Sequence, residues 1–169
     1  VEARRAVEVI NQELRQHIAQ RKQAEKNLEQ GLSLLRATLE STADGILVVD
    51  HEGKTVSFNQ TFARLWRIPE SILAAGEDRQ LLAYVLNQLK DPDAFLSKVK
   101  ALYAQPDAES FDILEFIDGR TFERFSKPQR TGGEAIGRVW SFRDVTKRRQ
   151  AEERLRESED RYRRLFESN

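Results

Sequence analysis

Residues return along the first quarter of the chain at alternating steps of four and three: Ala3, Val7, Ile10, Leu14, His17, Arg21, Ala24, Leu28, Gly31, Leu35 and Thr38. That spacing is the seam of a heptad repeat, and from Ala3 to Thr38 no proline and no glycine other than Gly31 interrupts it. It predicts one helix roughly 60 Å long, at a rise of ~1.5 Å per residue. The seam is apolar at Val7, Ile10 and Leu14 and again at Leu28 and Leu35, but polar at His17 and Arg21. A lone amphipathic helix leaves such a stripe wet, so the pattern predicts a weak parallel coiled coil between two copies of the chain, with packing of the helix back on its own domain as the competing account.

The period changes in the middle. "GILVVD", "HEGK" and "TVSFN" read as two short β-branched strands joined by a glycine-containing turn. "NQTFARLWRI" follows as a helix with Phe62, Leu65 and Trp66 on one face, Asn59 as its cap and Pro69 as its stop. Two more amphipathic helices are predicted, over "DRQLLAYVLNQLK" with Leu82, Val85, Leu86 and Leu89 together, and over "DPDAFLSKVKALYA" with Phe95, Val99 and Leu102 aligned. Three strands close the region: "ESFDILEFI", "TFERFSKPQ" and "AIGRVWSFRDV", separated by the turns "DGR" and "TGGE".

After these strands the heptad register resumes with Ala151, Leu155, Ser158, Tyr162 and Leu165. Outside it, Glu152/Arg156, Glu157/Arg161, Glu159/Arg163 and Asp160/Arg164 are acid-to-base pairs four apart, each worth ~0.2–0.5 kcal/mol to an exposed helix. Shifting the chain by 127 residues aligns Arg21 with Arg148 and brings identities at Gln23/Gln150, Ala24/Ala151, Glu25/Glu152, Leu28/Leu155, Arg36/Arg163, Glu40/Glu167 and Ser41/Ser168. Such a repeat predicts a module bracketed by its own helical preface and by that of a following copy. With no methionine and with Val1 already in mid-pattern, the 169 residues read as part of a longer chain.

Charge adds little direction. The 28 basic and 28 acidic residues balance, so no overall field selects nucleic acid or an anionic membrane, and acids interleave with the arginines of 147–164. No nucleic-acid partner is therefore expected. No apolar run approaches the ~20 residues of a membrane helix, so no membrane insertion is expected in this segment. The absence of cysteine excludes disulfides, thiolate metal sites and thiol nucleophiles, and suits a reducing cytoplasm.

The order strand, strand, helices, strand, strand, strand, with "ADGILVVDHEGKTVSFNQTFARLW" at the front and "GRVWSFRDVTKRRQAE" at the back, resembles the PAS sensory domain family. Its marks here are Asp44 and Gly45 before the first strand, Asn59 before the first short helix, and Asp144, Val145 and Thr146 at the end of the last strand. The resemblance implies an α+β fold: a five-stranded antiparallel sheet with short helices on one face, flanked by long N- and C-terminal coiled-coil helices. Residues 1–33 are then an N-terminal linker helix, 34–146 the PAS domain, and 147–169 a C-terminal linker helix leading into a following module. "RYRRLFESN" looks like the start of another such unit, whereas His17, Ile18 and Ala19 stand where a preceding unit would carry its Asp-x-Thr. The module upstream is thus expected to be a helical input, such as the stalk of a membrane sensor.

The same resemblance implies a pocket between sheet and helices. Trp140 and Phe142 share one face of the last strand, and by resemblance that face looks inward. Trp66, Tyr84, Phe95, Phe116 and Phe122 are further candidates for the pocket or its wall, with plain hydrophobic core as the competing account. Asp144, Val145 and Thr146 are a helix cap on residue chemistry alone, and on the resemblance also the junction that passes movement of the sheet to the exit helix. Val7, Ile10, Leu14, Leu28, Leu35, Leu155 and Tyr162 are the expected dimer seam.

No catalytic constellation emerges. "TGGE" lies between strands and reads as a hairpin turn, not a phosphate loop. His17 lacks the carboxylate and proline that follow a phosphoacceptor histidine. His51 falls in a turn, which makes it a poor haem ligand and leaves no metal site. Without cysteine, neither a thiol–flavin adduct nor a thioester chromophore forms; a non-covalent flavin remains compatible, and no cofactor is required. The expectation is a non-enzymatic, cytoplasmic sensor and relay module in a homodimeric signalling protein, of histidine kinase or diguanylate cyclase type and itself anchored or not to a membrane. The competing expectation is a purely structural dimerisation spacer without a ligand.

Overall fold

A computed structural model describes residues 1–167; Ser168 and Asn169, which end the expected C-terminal linker, lie outside the described residues. The chain divides into two compact units, residues 1–41 and the remainder. The first is a single helix, α1 (Glu2–Glu40), with no buried residue. Its end is tied by local bonds: Ser41 donates its backbone N–H to Ala37 O (2.9 Å) and its hydroxyl to Thr38 O (2.8 Å). The boundary expected at residue 34 falls inside this helix, because no residue before Ser41 breaks its hydrogen-bond ladder.

The second unit carries β1 (Gly45–Asp50), β2 (Thr55–Phe58), α2 (Gln60–Leu65), α3 (Glu70–Ala75), α4 (Asp78–Leu86), α5 (Pro92–Ala104), β3 (Ser110–Glu115), β4 (Thr121–Thr131), β5 (Glu134–Asp144) and α6 (Thr146–Glu167). The strands form one antiparallel sheet in the order β2-β1-β5-β4-β3, so the first and last hairpins meet through β1 and β5. This is the α+β arrangement the sequence led us to expect, with the short helices inserted between β2 and β3.

One face of the sheet is buried. Leu114 on β3, Phe122 on β4, Trp140 and Phe142 on β5 and Val49 on β1 pack against Phe62 of α2 and its C-cap Trp66, Val85 of α4, and Phe95 and Leu102 of α5. Trp66 is the hub: its ring lies 5.0 Å from Phe116, 5.7 Å from Phe122 and 5.2 Å from Phe142. Aromatic pairs in such tilted and edge-on geometry add ~0.5–1.5 kcal/mol each beyond area burial.

Two elements differ from the sequence reading. Helix α4 stops at Leu86 instead of Lys90, because the chain peels off to pair with the end of β3. Lys90 N–H donates to Glu115 O (3.0 Å), Ile117 N–H donates to Gln88 O (2.9 Å), and Leu89 bridges Phe116. Helix α3, over "ESILAA", was not expected; Pro69 sits at its N-cap and Gly76 closes it in the left-handed conformation.

Asn59 locks the front of the domain. Its Oδ1 accepts the backbone N–H groups of Phe62 (2.9 Å) and Ile46 (2.8 Å), while its Nδ2 donates to Asp44 O (2.9 Å). The helix cap is therefore also a strut to the start of β1. Gly45 must be glycine here, since a Cβ would stand 2.8 Å from the Phe62 Cα.

Candidate functional site

Between the inner face of the sheet and the short helices lies a cavity of about 390 Å³. Leu47 and Val49 of β1 line it, with Phe62 of α2 and its C-cap Trp66, Leu81, Leu82 and Val85 of α4, Phe95, Val99 and Tyr103 of α5, and Trp140 and Phe142 of β5. Polar groups gather where the β1–β2 turn faces α4: Glu52, Gly53, Thr55, Asp78 and Arg79. Glu52, Arg79 and Leu82 are exposed and mark the mouth. Thr55 N–H donates to Asp78 Oδ1 (3.0 Å), which ties the edge strand β2 to the start of α4.

Of the aromatic residues singled out from sequence, Trp66, Phe95, Trp140 and Phe142 meet around this cavity. Phe116 and Phe122 do not reach it. Both are fully buried behind Trp66 with their rings 4.3 Å apart, and the guanidinium of Arg120 sits 4.3 Å over Phe116. Tyr84 points away, its phenol donating to Arg67 O (2.6 Å) at the corner after α2.

Tyr103 was missed by the sequence reading. It follows Phe95 and Val99 at steps of four, and that face of α5, not the one through Leu102, borders the cavity. Burial pushes the Tyr103 phenol above its usual value near 10. The turn residue Gly53 presses on the same phenol: φ is +84° and a Cβ would stand 2.8 Å from the Tyr103 hydroxyl.

Two arginines missed from the sequence lie on the inner face. Arg124, fully buried, makes a paired contact to Asp112 on β3 (2.8 and 2.5 Å) with its guanidinium 4.4 Å over Phe95 and 5.2 Å over Trp140. Arg138, 2% exposed, donates to Ser126 Oγ (2.8 Å) and to the carbonyls of Ala108 (2.5 Å), Gln105 (3.3 Å) and Pro106 (3.3 Å). Burial pushes its pKa below the usual guanidinium value.

The Asp144-Val145-Thr146 segment joins β5 to α6. Asp144 Oδ1 accepts from Thr146 N–H (2.9 Å) and from its hydroxyl (2.5 Å), and Thr146 Oγ1 accepts Thr121 N–H (3.0 Å). Val145 is buried, donates its N–H to Thr121 O (2.9 Å) and accepts that of Arg149 (2.9 Å). Arg148, one turn on, pairs with Glu123 of β4. The first turn of α6 is thus bonded to the end of β5 and the start of β4 together.

Every expected seam residue is exposed: on α1 Val7, Ile10, Leu14, Leu28 and Leu35 are 53–64% accessible, and on α6 Leu155 and Tyr162 are each 62% accessible. No helix among the described residues is long and apolar enough to cross a membrane. No group of three histidine, aspartate or glutamate side chains among them is placed to hold a metal ion, and His51 is exposed in the β1–β2 turn.

Comparison with known proteins agrees with this architecture. The PAS domain of an HTR-like protein from Haloarcula marismortui aligns over 73% of this chain and 99% of its own, at 24% identity and a TM-score of 0.51. The PAS domain of BvgS from Bordetella pertussis aligns over 78% and 98%, at 17% identity and a TM-score of 0.51. The sensor region of a sensor histidine kinase aligns over 62% of this chain but only 40% of its own length, at 17% identity and a TM-score of 0.50. No curated protein matches the sequence. These likenesses speak for the fold. A sequence model described as the PAS fold matches residues 39–153, more than half of the chain and every strand of the sheet, and on that ground the chain belongs to the PAS family.

Proposed function

We propose that this chain is a sensory relay module of a homodimeric, cytoplasmically placed signalling assembly. A small molecule enters the cavity, and its presence is passed through Asp144, Val145 and Thr146 to α6. One observation carries the reading: β5 walls the cavity with Trp140 and Phe142, and two residues past Phe142 the same strand ends in the Asp144 clamp on α6. A ligand that moves Phe142 moves the clamp. The spacer reading, with a filled core, fits less well with a cavity walled by twelve apolar or aromatic side chains and open between Glu52 and Arg79.

The exposed stripes on α1 and α6 support a parallel dimer, in which tilt of α6 against its twin is the output. Marginal seams need only ~1–3 kcal/mol of differential binding to change packing. The receiving domain is a histidine kinase or diguanylate cyclase in the adjoining part of the parent chain.

The cysteine-free chain allows a direct test. Glu159→Cys on α6 is exposed and accepts a nitroxide, and inter-spin distances report the separation of the two helices. Val99→Phe, which fills part of the cavity, should shift that distribution by a few ångströms, and adding Thr146→Val should abolish the shift. A distribution indifferent to the cavity, or no inter-chain dipolar signal at all, defeats the relay.

A further inference from the structure

Helix α1 leaves more apolar surface in water than its heptad series accounts for. Ile18, Leu32 and Leu39 are 53%, 49% and 37% accessible, and none of them belongs to the series that runs through His17, Gly31 and Thr38. Each stands one position after a weak member of that series. Gly31 brings no side chain, and a Cβ built on it meets nothing within 4 Å, so no close approach within the chain explains the glycine. Thr38 turns its hydroxyl back to Leu34 O (2.8 Å), a bond inside the helix.

Two apolar stripes therefore meet on this helix. Val7, Leu14, Arg21, Leu28 and Leu35, each seven positions from the next, belong to both. In the first half their companion lies three positions on, as Ile10 does from Val7; in the second it lies four on, as Leu32 does from Leu28 and Leu39 from Leu35. Two consecutive steps of four reconcile the halves, which is a stutter in the heptad repeat. It falls between Leu14 and Leu28, where His17, Arg21 and Glu25 make the stripe polar. Val9 and Leu34, also exposed, lie outside both stripes.

The length of the stripe decides what covers it. From Val7 to Leu39 it takes in 33 residues, whereas α6, the longest other helix among the described residues, has 22. Knobs seat only in the holes of a helix with the same period, and a second α1 alone offers that period over the whole length. In a parallel pair every residue meets its own counterpart, so the change of step falls at one height in both chains. Gly31 and Thr38 then flank Leu32 and Leu39, where small residues let the two backbones close in.

Resting on the reading of the chain as a homodimer, we infer that the surface of α1 that meets the second copy is stuttered: it follows the first stripe as far as Leu14 and the second from Leu28 to Leu39. The contact thus ends six residues along the chain before β1. Its polar middle buries little apolar surface, so rotation of one half of the pair against the other costs least there.

The cysteine-free chain carries the test. Five single variants of the 169-residue protein, Ile10→Cys, Asn11→Cys, Leu28→Cys, Gly31→Cys and Leu32→Cys, are oxidised mildly, and the rate of same-site disulfide formation is measured. All five sites are exposed on α1, so none disturbs the domain core. Leu28→Cys, common to both stripes, should link whichever stripe is used. Ile10→Cys should link at least about fivefold faster than Asn11→Cys, and Leu32→Cys at least about fivefold faster than Gly31→Cys, because a bridge forms only where the two Cα atoms come within ~7 Å. If Gly31→Cys links as fast as Leu32→Cys or faster, the unbroken heptad holds; if Asn11→Cys matches or outpaces Ile10→Cys, the second stripe runs the whole helix. Either result overturns the stutter and leaves the dimer standing. Should Leu28→Cys fail to link, the homodimer reading itself falls and this inference with it.

Discussion

Arg124 and Arg138 place two guanidinium groups on the face of the sheet that also carries Trp140 and Phe142. Arg124 is compensated by Asp112 and by two ring faces; Arg138 is held by carbonyls and a hydroxyl. A buried ion pair is costly to break one-sidedly and cheap to replace whole. Asp112→Asn should therefore destabilise the domain by about 3 kcal/mol, whereas Asp112→Leu with Arg124→Met should be nearly neutral; urea midpoints of the two variants check this. Tyr103 gives a pH signature. Its folded pKa is raised above the unfolded value near 10, so its contribution is fully present below pH 10 and is lost as pH rises through the folded value. Urea midpoints taken from pH 8 to 11 should fall for the wild type and fall less steeply for Tyr103→Phe.

At the scale of elements, the junction is a shared fastening, because one hydroxyl serves the exit helix and the neighbouring strand. Thr146→Val keeps the volume and removes Oγ1, which orphans the Thr121 N–H and weakens the cap. The expected cost is about 1–2 kcal/mol. Hydrogen exchange should quicken in the first turn of α6 and at Thr121, while amides of the β1–β2 hairpin hold their protection; uniform loss across the sheet would mean the bond is merely structural. The turn at Gly53 is a second fastening. Gly53→Ala combines a left-handed backbone with a 2.8 Å approach to the Tyr103 hydroxyl, so about 1–2 kcal/mol should be lost, read as a lower urea midpoint.

For the whole molecule, the proposed dimer rests on stripes that the single chain leaves in water. Leu14→Asp with Leu28→Asp puts charge into the seam without touching the domain core, since both are exposed on α1. Sedimentation should move from the mass of two chains to that of one while the near-ultraviolet circular dichroism of the aromatic cluster is kept. A wild-type chain that already sediments as a monomer at micromolar concentration defeats the seam.

Much of this was legible in one dimension. Period-2 and heptad patterns located all five strands, α1, α2, α5 and α6, because a face of fixed period must be buried or paired whatever its partner. Asn59 and the Asp144-Val145-Thr146 turn were legible because capping is local chemistry. Even α3 left a signal in Pro69 and Gly76, and Tyr103 left one in the step of four from Val99. Tertiary structure alone decided the rest: that Leu89 leaves its helix for β3, that Phe116 and Phe122 stand behind Trp66 instead of lining the cavity, and that Arg124 and Arg138 lie inside. Alternation with Phe122, Trp140 and Phe142 places both arginines on the inner face. A buried charge nevertheless becomes acceptable only once the fold brings Asp112, Ser126 and the carbonyls of 105–108 to it. Local periods determine which faces are buried; only long-range pairing determines which polar groups find partners there, and which, like the Trp66 indole, are left without one.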